Sequence, residues 1–176
     1  MAVARMKEEL VLQEIPASTK AWVTAHATNA VLHFTSNTGA QEQLRVSVKE
    51  DVIKRIHGDY QLLTYTFTGQ QEHLGFAIQA EKRFADFANS SKQDFESEYL
   101  TVNTSDKPNE EYLTPYGVEG ELLNNYTLNG QNYNRVLHLV FSFTAERSDK
   151  IKEIYYAKEA GIISFTTANG QVWLRQ

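Results

Sequence analysis

The sequence predicts an all-β fold: a single antiparallel β domain whose sheet is curled (barrel-like) or folded as a sandwich, with at most short helices. Three observations lead there. Apolar and polar residues alternate with a period of two in one segment after another. Turn-forming residues punctuate the chain roughly every 8–15 residues, and no helical stripe outlasts about two turns. The composition leans the same way, with nine Tyr, nine Phe and only three Pro. Aromatic and β-branched side chains suit a pleated, half-buried surface.

Taken in order, residues 1–16 form an N-terminal tether or edge segment, and residues 17–176 form the domain. Pro16 ends whatever precedes it. Ala21 to His26 reads as a strand around Trp22 and Val23. Ala30 to Ser36 alternates, with Val31, His33 and Thr35 on one face and Leu32 and Phe34 on the other. Asn37-Thr38-Gly39 is turn chemistry. Leu44, Val46 and Val48 alternate with Arg45, Ser47 and Lys49, which gives a strand with one wet face. Asp51 to Ile56 either continues that strand or makes a helical turn, and His57-Gly58-Asp59 turns the chain. Leu63, Tyr65 and Phe67, then Leu74, Phe76, Ile78 and Ala80, form two strands of a hairpin around Gly69. Phe84 and Phe87 read as one helical turn, and Phe95 to Val102 is extended. Asn103 to Glu111 is the most polar window and reads as a long loop.

In the C-terminal third, Asn129-Gly130 is a type I′ turn signal after Tyr126 to Leu128. Leu137, Leu139, Phe141 and Phe143 share a face opposite Val136, His138, Val140 and Ser142. Both faces are apolar enough to place this strand inside its sheet. Ser148-Asp149-Lys150 turns the chain. Ile154 and Tyr156 then oppose Tyr155 and Ala157. Gly161 marks a bend or bulge. Ile163 and Phe165 follow, then Ala168-Asn169-Gly170 and a last strand with Val172 and Leu174 opposite Trp173. Leu137, Leu139, Phe141, Phe143, Ile163 and Phe165 are expected to form one buried cluster.

Composition narrows the function. The chain has 176 residues, 22% of them charged, and a formal net charge of −5. That suits one ordinary globular domain. The charges are interspersed without a basic run, so nucleic acid is not expected as a partner. No apolar run approaches the ~20 residues that cross a bilayer. Met1 to Leu10 lacks the apolar core of a signal peptide. The absence of cysteine excludes disulfides, thiolate metal sites and cysteine nucleophiles.

Candidate chemistry is sparse. His26, His33, His57, His73 and His138 show no metal-ligand spacing, although His33 and His138 fall mid-strand and could meet across a sheet. There is no Gly-x-Ser-x-Gly; Ser164 lies in an apolar strand, and Ser36, Ser90 and Ser91 lie in turns. Carboxylates pair at Glu8-Glu9, Glu50-Asp51, Glu96/Glu98, Glu110-Glu111 and Glu119/Glu121. Glu96 and Glu98 on one strand face would stand about 7 Å apart, within the range of a glycosidase pair, but a solvated strand face alternates in the same way. Gly58, Gly69 and Gly75 are isolated turn or bulge residues, not a phosphate loop. Tyr60, Tyr65, Phe67, Phe76, Phe84, Phe87 and Phe95 either fill the core or line an apolar cavity in a curled sheet. No catalytic, cofactor-binding or metal-binding residue is assigned, and no cofactor is expected.

One longer pattern remains. Asn129, Gly130, Tyr133 and Val136 spell Asn-Gly-x-x-Tyr-x-x-Val. Tyr155, Tyr156, Ala157, Lys158, Gly161, Ile162 and Ile163 follow, and Trp173-Leu174 closes the chain. This stretch, residues 126–174, resembles lipoproteins and exported proteins of the Bacteroidetes group, most of them uncharacterised. Those proteins carry Gly-Val before the bending glycine, where this chain has Glu159-Ala160. The resemblance implies an antiparallel β domain in the cell envelope of a Gram-negative bacterium, periplasmic or on the outer surface and lipid-anchored. It implies an upstream leader ending in a lipidated cysteine, so that membrane contact runs only through an anchor absent from this chain. A cytoplasmic location is the alternative. The resemblance implies no reaction. The functional expectation is a non-enzymatic binding or structural module for an unknown partner, a glycan or an apolar ligand. The alternatives are an envelope glycan hydrolase and a carrier of lipid or another hydrophobic ligand.

Overall fold

The structure, a computed structural model, describes residues 12, 14, 15, 17–55, 58–70, 74–81, 99–103, 112–113, 118–142 and 151–176. It is nearly all β. A four-residue helical turn, α1 (Ala17–Lys20), precedes β1 (Val31–Ser36), β2 (Gln41–Arg55), β3 (Gly58–Thr68), β4 (Gly75–Glu81), β5 (Tyr99–Asn103), β6 (Tyr112–Leu113), β7 (Val118–Leu123), β8 (Tyr126–Leu128), β9 (Gln131–Tyr133), β10 (Val136–Phe141), β11 (Ile151–Ala157), β12 (Gly161–Thr167) and β13 (Val172–Arg175). Eleven strands form one strongly curled, half-barrel sheet in the order β6-β5-β4-β3-β2-β1-β13-β12-β11-β10-β7, and β8 and β9 form a second, two-stranded sheet. The curled-sheet form of the expected fold, not the sandwich, is therefore the one adopted.

The period-two pattern explains the curl. Leu32 and Phe34, then Leu44 and Val46, then Leu63, Tyr65 and Phe67 all turn to one side, and so do their counterparts on β4, β10, β11, β12 and β13. A sheet with one continuous apolar face, twisting in its natural hand, hides that face by rolling around it. Two register shifts between β11 and β12, at Ile151/Glu153 and Tyr155/Tyr156, add local bending. The inside is packed with rings: centroids lie 5.1 Å apart for Phe34 and Phe165, 4.9 Å for Tyr65 and Phe67, 6.0 Å for Phe67 and Tyr156, and 5.8 Å for Phe165 and Trp173.

The first and last strands meet. Phe34, Thr35 and Ser36 of β1 pair with Arg175, Leu174 and Trp173 of β13, so one seam joins the N-terminal run of strands to the C-terminal one. Among the described strands the pairs are antiparallel except β4–β5, which is parallel and departs from the all-antiparallel domain expected.

Residues 21–30 form a strap, not the strand expected from Trp22 and Val23. Its backbone bonds outward in several directions. Glu159 N–H donates to Ala21 O, Tyr156 Oη–H donates to Trp22 O, Tyr65 Oη–H donates to His26 O, and Val46 N–H donates to Ala30 O. Trp22 and Val23 are buried, and Lys158 Nζ lies 5.6 Å from the Trp22 ring centroid. The strap is thereby tied to β2, β3, β11 and the turn after β11. Ile15, inside the segment expected to be a tether, is buried in the same core, and its N–H donates to Gln61 Oε1.

One core expectation needs correcting. Leu137, Leu139, Phe141 and Phe165 do share the inner cluster, but Ile163 belongs to a separate cluster with Val136 and Ala157. The cause is the bulge: Tyr155 pairs with Ser164 and Tyr156 with Ile162, so Ile163 has no partner and leaves the inner face. Phe143, Phe84, Phe87 and the loop at 104–111 lie outside the described residues.

Candidate functional site

The outer face of the C-terminal strands carries the most chemically distinctive group. β10 turns Leu137 and Leu139 inward, which leaves His138 facing outward. β11 turns Ile154 and Tyr156 inward and leaves Glu153 and Tyr155 outward. His138 pairs directly with Tyr155 across the two strands, and Val140 pairs with Glu153. The His138 and Tyr155 rings stack at 4.3 Å with planes 9° apart.

A third ring comes from the small hairpin. Leu123 ends β7, and the chain leaves the main sheet through Asn125 at φ 62°. It reverses at Asn129 (φ 49°) and Gly130 (φ 78°), the type I′ turn expected from Asn-Gly, and returns to β10 through Arg135 at φ 57°. The hairpin folds over the outer face, where Tyr126, Leu128 and Tyr133 pack around Val136, Ala157 and Ile163. Tyr126 stacks on Tyr155 at 4.9 Å, 17° from parallel. Tyr126, Tyr155 and His138 thus form a three-ring slab with Tyr155 covered on both faces.

Glu153 ties the slab together. His138 Nε2–H donates to Glu153 Oε1 at 2.6 Å, and Tyr155 Oη–H donates to the same oxygen at 3.4 Å. The carboxylate keeps a proton on the Nε2 that faces it. The side chains of His138 and Glu153 are 22% and 30% exposed, so the pair is open to a partner. Burial, and then the charge of Glu153, push the Tyr155 phenol up to about 12. Burial also raises Tyr126. Both phenols are therefore neutral hydrogen-bond donors at ordinary pH. Glu121 stands across from His138 on β7, and Glu119 across from Val140; both are exposed.

The other sequence candidates scatter. His33 lies exposed on β1, four strands away from β10, so the two mid-strand histidines do not meet. His26 lies in the strap, where its Nε2 contacts Ala160 O at 2.9 Å and burial lowers its pKa. Ser36 caps the β1–β2 turn, accepting from Ala40 N–H at 2.9 Å. Ser164 is buried beside Tyr155. Asp51 pairs with Lys49 at 2.9 Å, and Glu50 Oε1 accepts from Gln61 Nε2. His57, His73, Glu8, Glu9, Glu96, Glu98, Glu110, Glu111, Ser90, Ser91 and Phe95 lie outside the described residues. Among the described residues no three His, Asp or Glu side chains are grouped as metal ligands, and no helix is long and apolar enough to cross a membrane.

The His138–Glu153 bond was not anticipated. Its signal was available: both residues face away from the apolar side of two strands consecutive in the sequence. What the sequence lacked was the register of β10 on β11, which sets Val140 opposite Glu153 and His138 opposite Tyr155. No protein family, curated protein or solved structure matches this chain.

Proposed function

We propose that this chain is a non-enzymatic binding module of a bacterial cell envelope, using its outer His138–Glu153–Tyr155–Tyr126 patch. One observation carries the binding half of this reading. The chain's own rings occupy the inside of the curl, whereas the outer patch offers aromatic rings, a carboxylate and an imidazole, both part-exposed. Such a mixture, apolar area with a few placed polar groups, is what a glycan or a partner's polar side chains require. The envelope half rests on the resemblance of residues 126–174 and includes the lipid anchor.

The test is nuclear magnetic resonance titration of the chain with soluble envelope glycans and, separately, a fatty acid. Perturbation centred on His138, Glu153 and Tyr155, weakened in Glu153→Gln, is the expected result. Glycan cleavage would replace this reading with a hydrolase. Fatty-acid shifts in the inner rings would replace it with a carrier. Fractionation of the source bacterium checks the location: native protein recovered lipid-free from the cytosol would overturn the envelope assignment.

A further inference from the structure

We propose that Asn129-Gly130 is a site of spontaneous deamidation, and that its product uncouples the β8–β9 hairpin from the outer patch. The chain contains two Asn-Gly steps, Asn129-Gly130 and Asn169-Gly170. Glycine offers the least steric resistance to attack by its own amide nitrogen on the preceding side chain. Both steps lie in exposed turns, and a Cβ at either glycine would meet nothing within 4 Å. Their hydrogen bonding differs.

Asn169 is held. Its Oδ1 accepts from Thr167 Oγ1 at 2.7 Å and from Gln171 N–H at 3.0 Å, while Gly170 N–H donates to Thr167 O at 2.8 Å. Both the electrophile and the nucleophile are restrained. Neither the Asn129 side chain nor Gly130 N–H has a hydrogen-bond partner among the described residues. What restrains Asn129 is its own hairpin, which has only three residue pairs and lies outside the main sheet. Two-stranded ribbons of that size are marginal by themselves.

The step balances without a cofactor. Gly130 N attacks Asn129 Cγ, a new C–N bond forms, and the Cγ–Nδ2 bond breaks. The Gly130 amide proton passes through water to the leaving nitrogen, which departs as ammonia. Water then opens the succinimide at either carbonyl, giving aspartate or β-linked isoaspartate. The latter adds a backbone methylene to a two-residue turn whose φ values of 49° and 78° hold Tyr126 opposite Tyr133. That turn geometry does not survive the insertion. Tyr126 then loses the support that stacks it on Tyr155. The inference is independent of what the patch binds.

The full chain should be incubated in warm, mildly alkaline buffer, with a denatured sample in parallel, and mapped by peptide mass spectrometry. In the denatured sample both sites should react at similar rates. In the native chain Asn129 should react at least ~10-fold faster than Asn169, because three hydrogen bonds must be given up at the latter. The near-ultraviolet tyrosine ellipticity should fall in step with isoaspartate at 129. Asn129→Gly, which keeps a turn-compatible residue and cannot cyclise, should hold its signal. Equal native rates, a faster Asn169, or an unreactive Asn129 would overturn the site. Isoaspartate accumulating with unchanged ellipticity would overturn its effect on the hairpin.

Discussion

Tyr155 shows how far a single side chain depends on its neighbours. It is covered by a ring on each side and donates to a carboxylate, so its neutral form is favoured when folded. The folded phenol ionises near 12, whereas the unfolded one ionises at about 10. Between those values the unfolded chain loses its proton first. The stability that neutral Tyr155 contributes is therefore complete below pH ~10 and is lost as pH rises towards 12. Tyr65, Tyr126 and Tyr156 are raised as well, so the whole protein weakens over that window. Tyr155→Phe should weaken less steeply than the parent between pH 10 and 12 in denaturant titrations. Parallel declines of the two proteins would show that Tyr155 ionises normally in the folded state.

At the scale of elements, the turns are where backbone conformation is most demanding. Gly161, the first residue of β12, has φ +75°, and a Cβ there would meet His26 Nε2 at 3.2 Å and Cδ2 at 3.3 Å. Gly39, between β1 and β2, has φ +84° with open space around it. Gly39→Ala should cost only the left-handed strain, about 1–2 kcal/mol. Gly161→Ala should cost visibly more, since His26 is fixed to Ala160 O on one side and its carbonyl to Tyr65 on the other. Chemical denaturation of the two variants measures the difference, and equal losses would mean that the strap yields freely. Much of this level was legible in the sequence. Gly161 was read as a bend or bulge, Asn129-Gly130 as a type I′ turn, and the inner faces of β1, β2, β3, β4 and β10 followed from alternation. Ile163 was misplaced because alternation assumes an unbroken register, which the bulge there violates, and the parallel β4–β5 pair was missed because alternation carries no strand direction. The strap was misread because Trp22 and Val23 are buried as in a strand, yet their backbone partners are carbonyls and hydroxyls from several elements. The outer patch was missed because its rings come from β10, β11 and a hairpin that belongs to neither sheet edge.

At the scale of the whole molecule, two groups of strands share one core through a single seam. β13 alone pairs with both β1 and β12. It also contributes buried Trp173, sends Arg175 Nη1 to Ala160 O at 2.5 Å, and lies next to Gln176, whose N–H donates to His33 O at 3.0 Å. A chain ending at Gln171 would leave β1 and β12, both interior strands, with unpaired edges facing each other across the gap. Among the described residues, the remaining ties would include the strap, the Gln171 Nε2–Thr38 Oγ1 bond and ring contacts across the interior, such as Phe34 on Phe165. The ring contacts are non-directional and do not fix strand register. The truncated chain should therefore lose its single cooperative transition and bind a hydrophobic dye. Trp22 would be its one remaining tryptophan and would report on the strap. Its fluorescence and the far-ultraviolet dichroism should separate along a denaturant titration, because the strap can release before the strands do. Coincident transitions, with stability within ~1 kcal/mol of the full chain, would show that the two halves are held by their shared core and not by the seam.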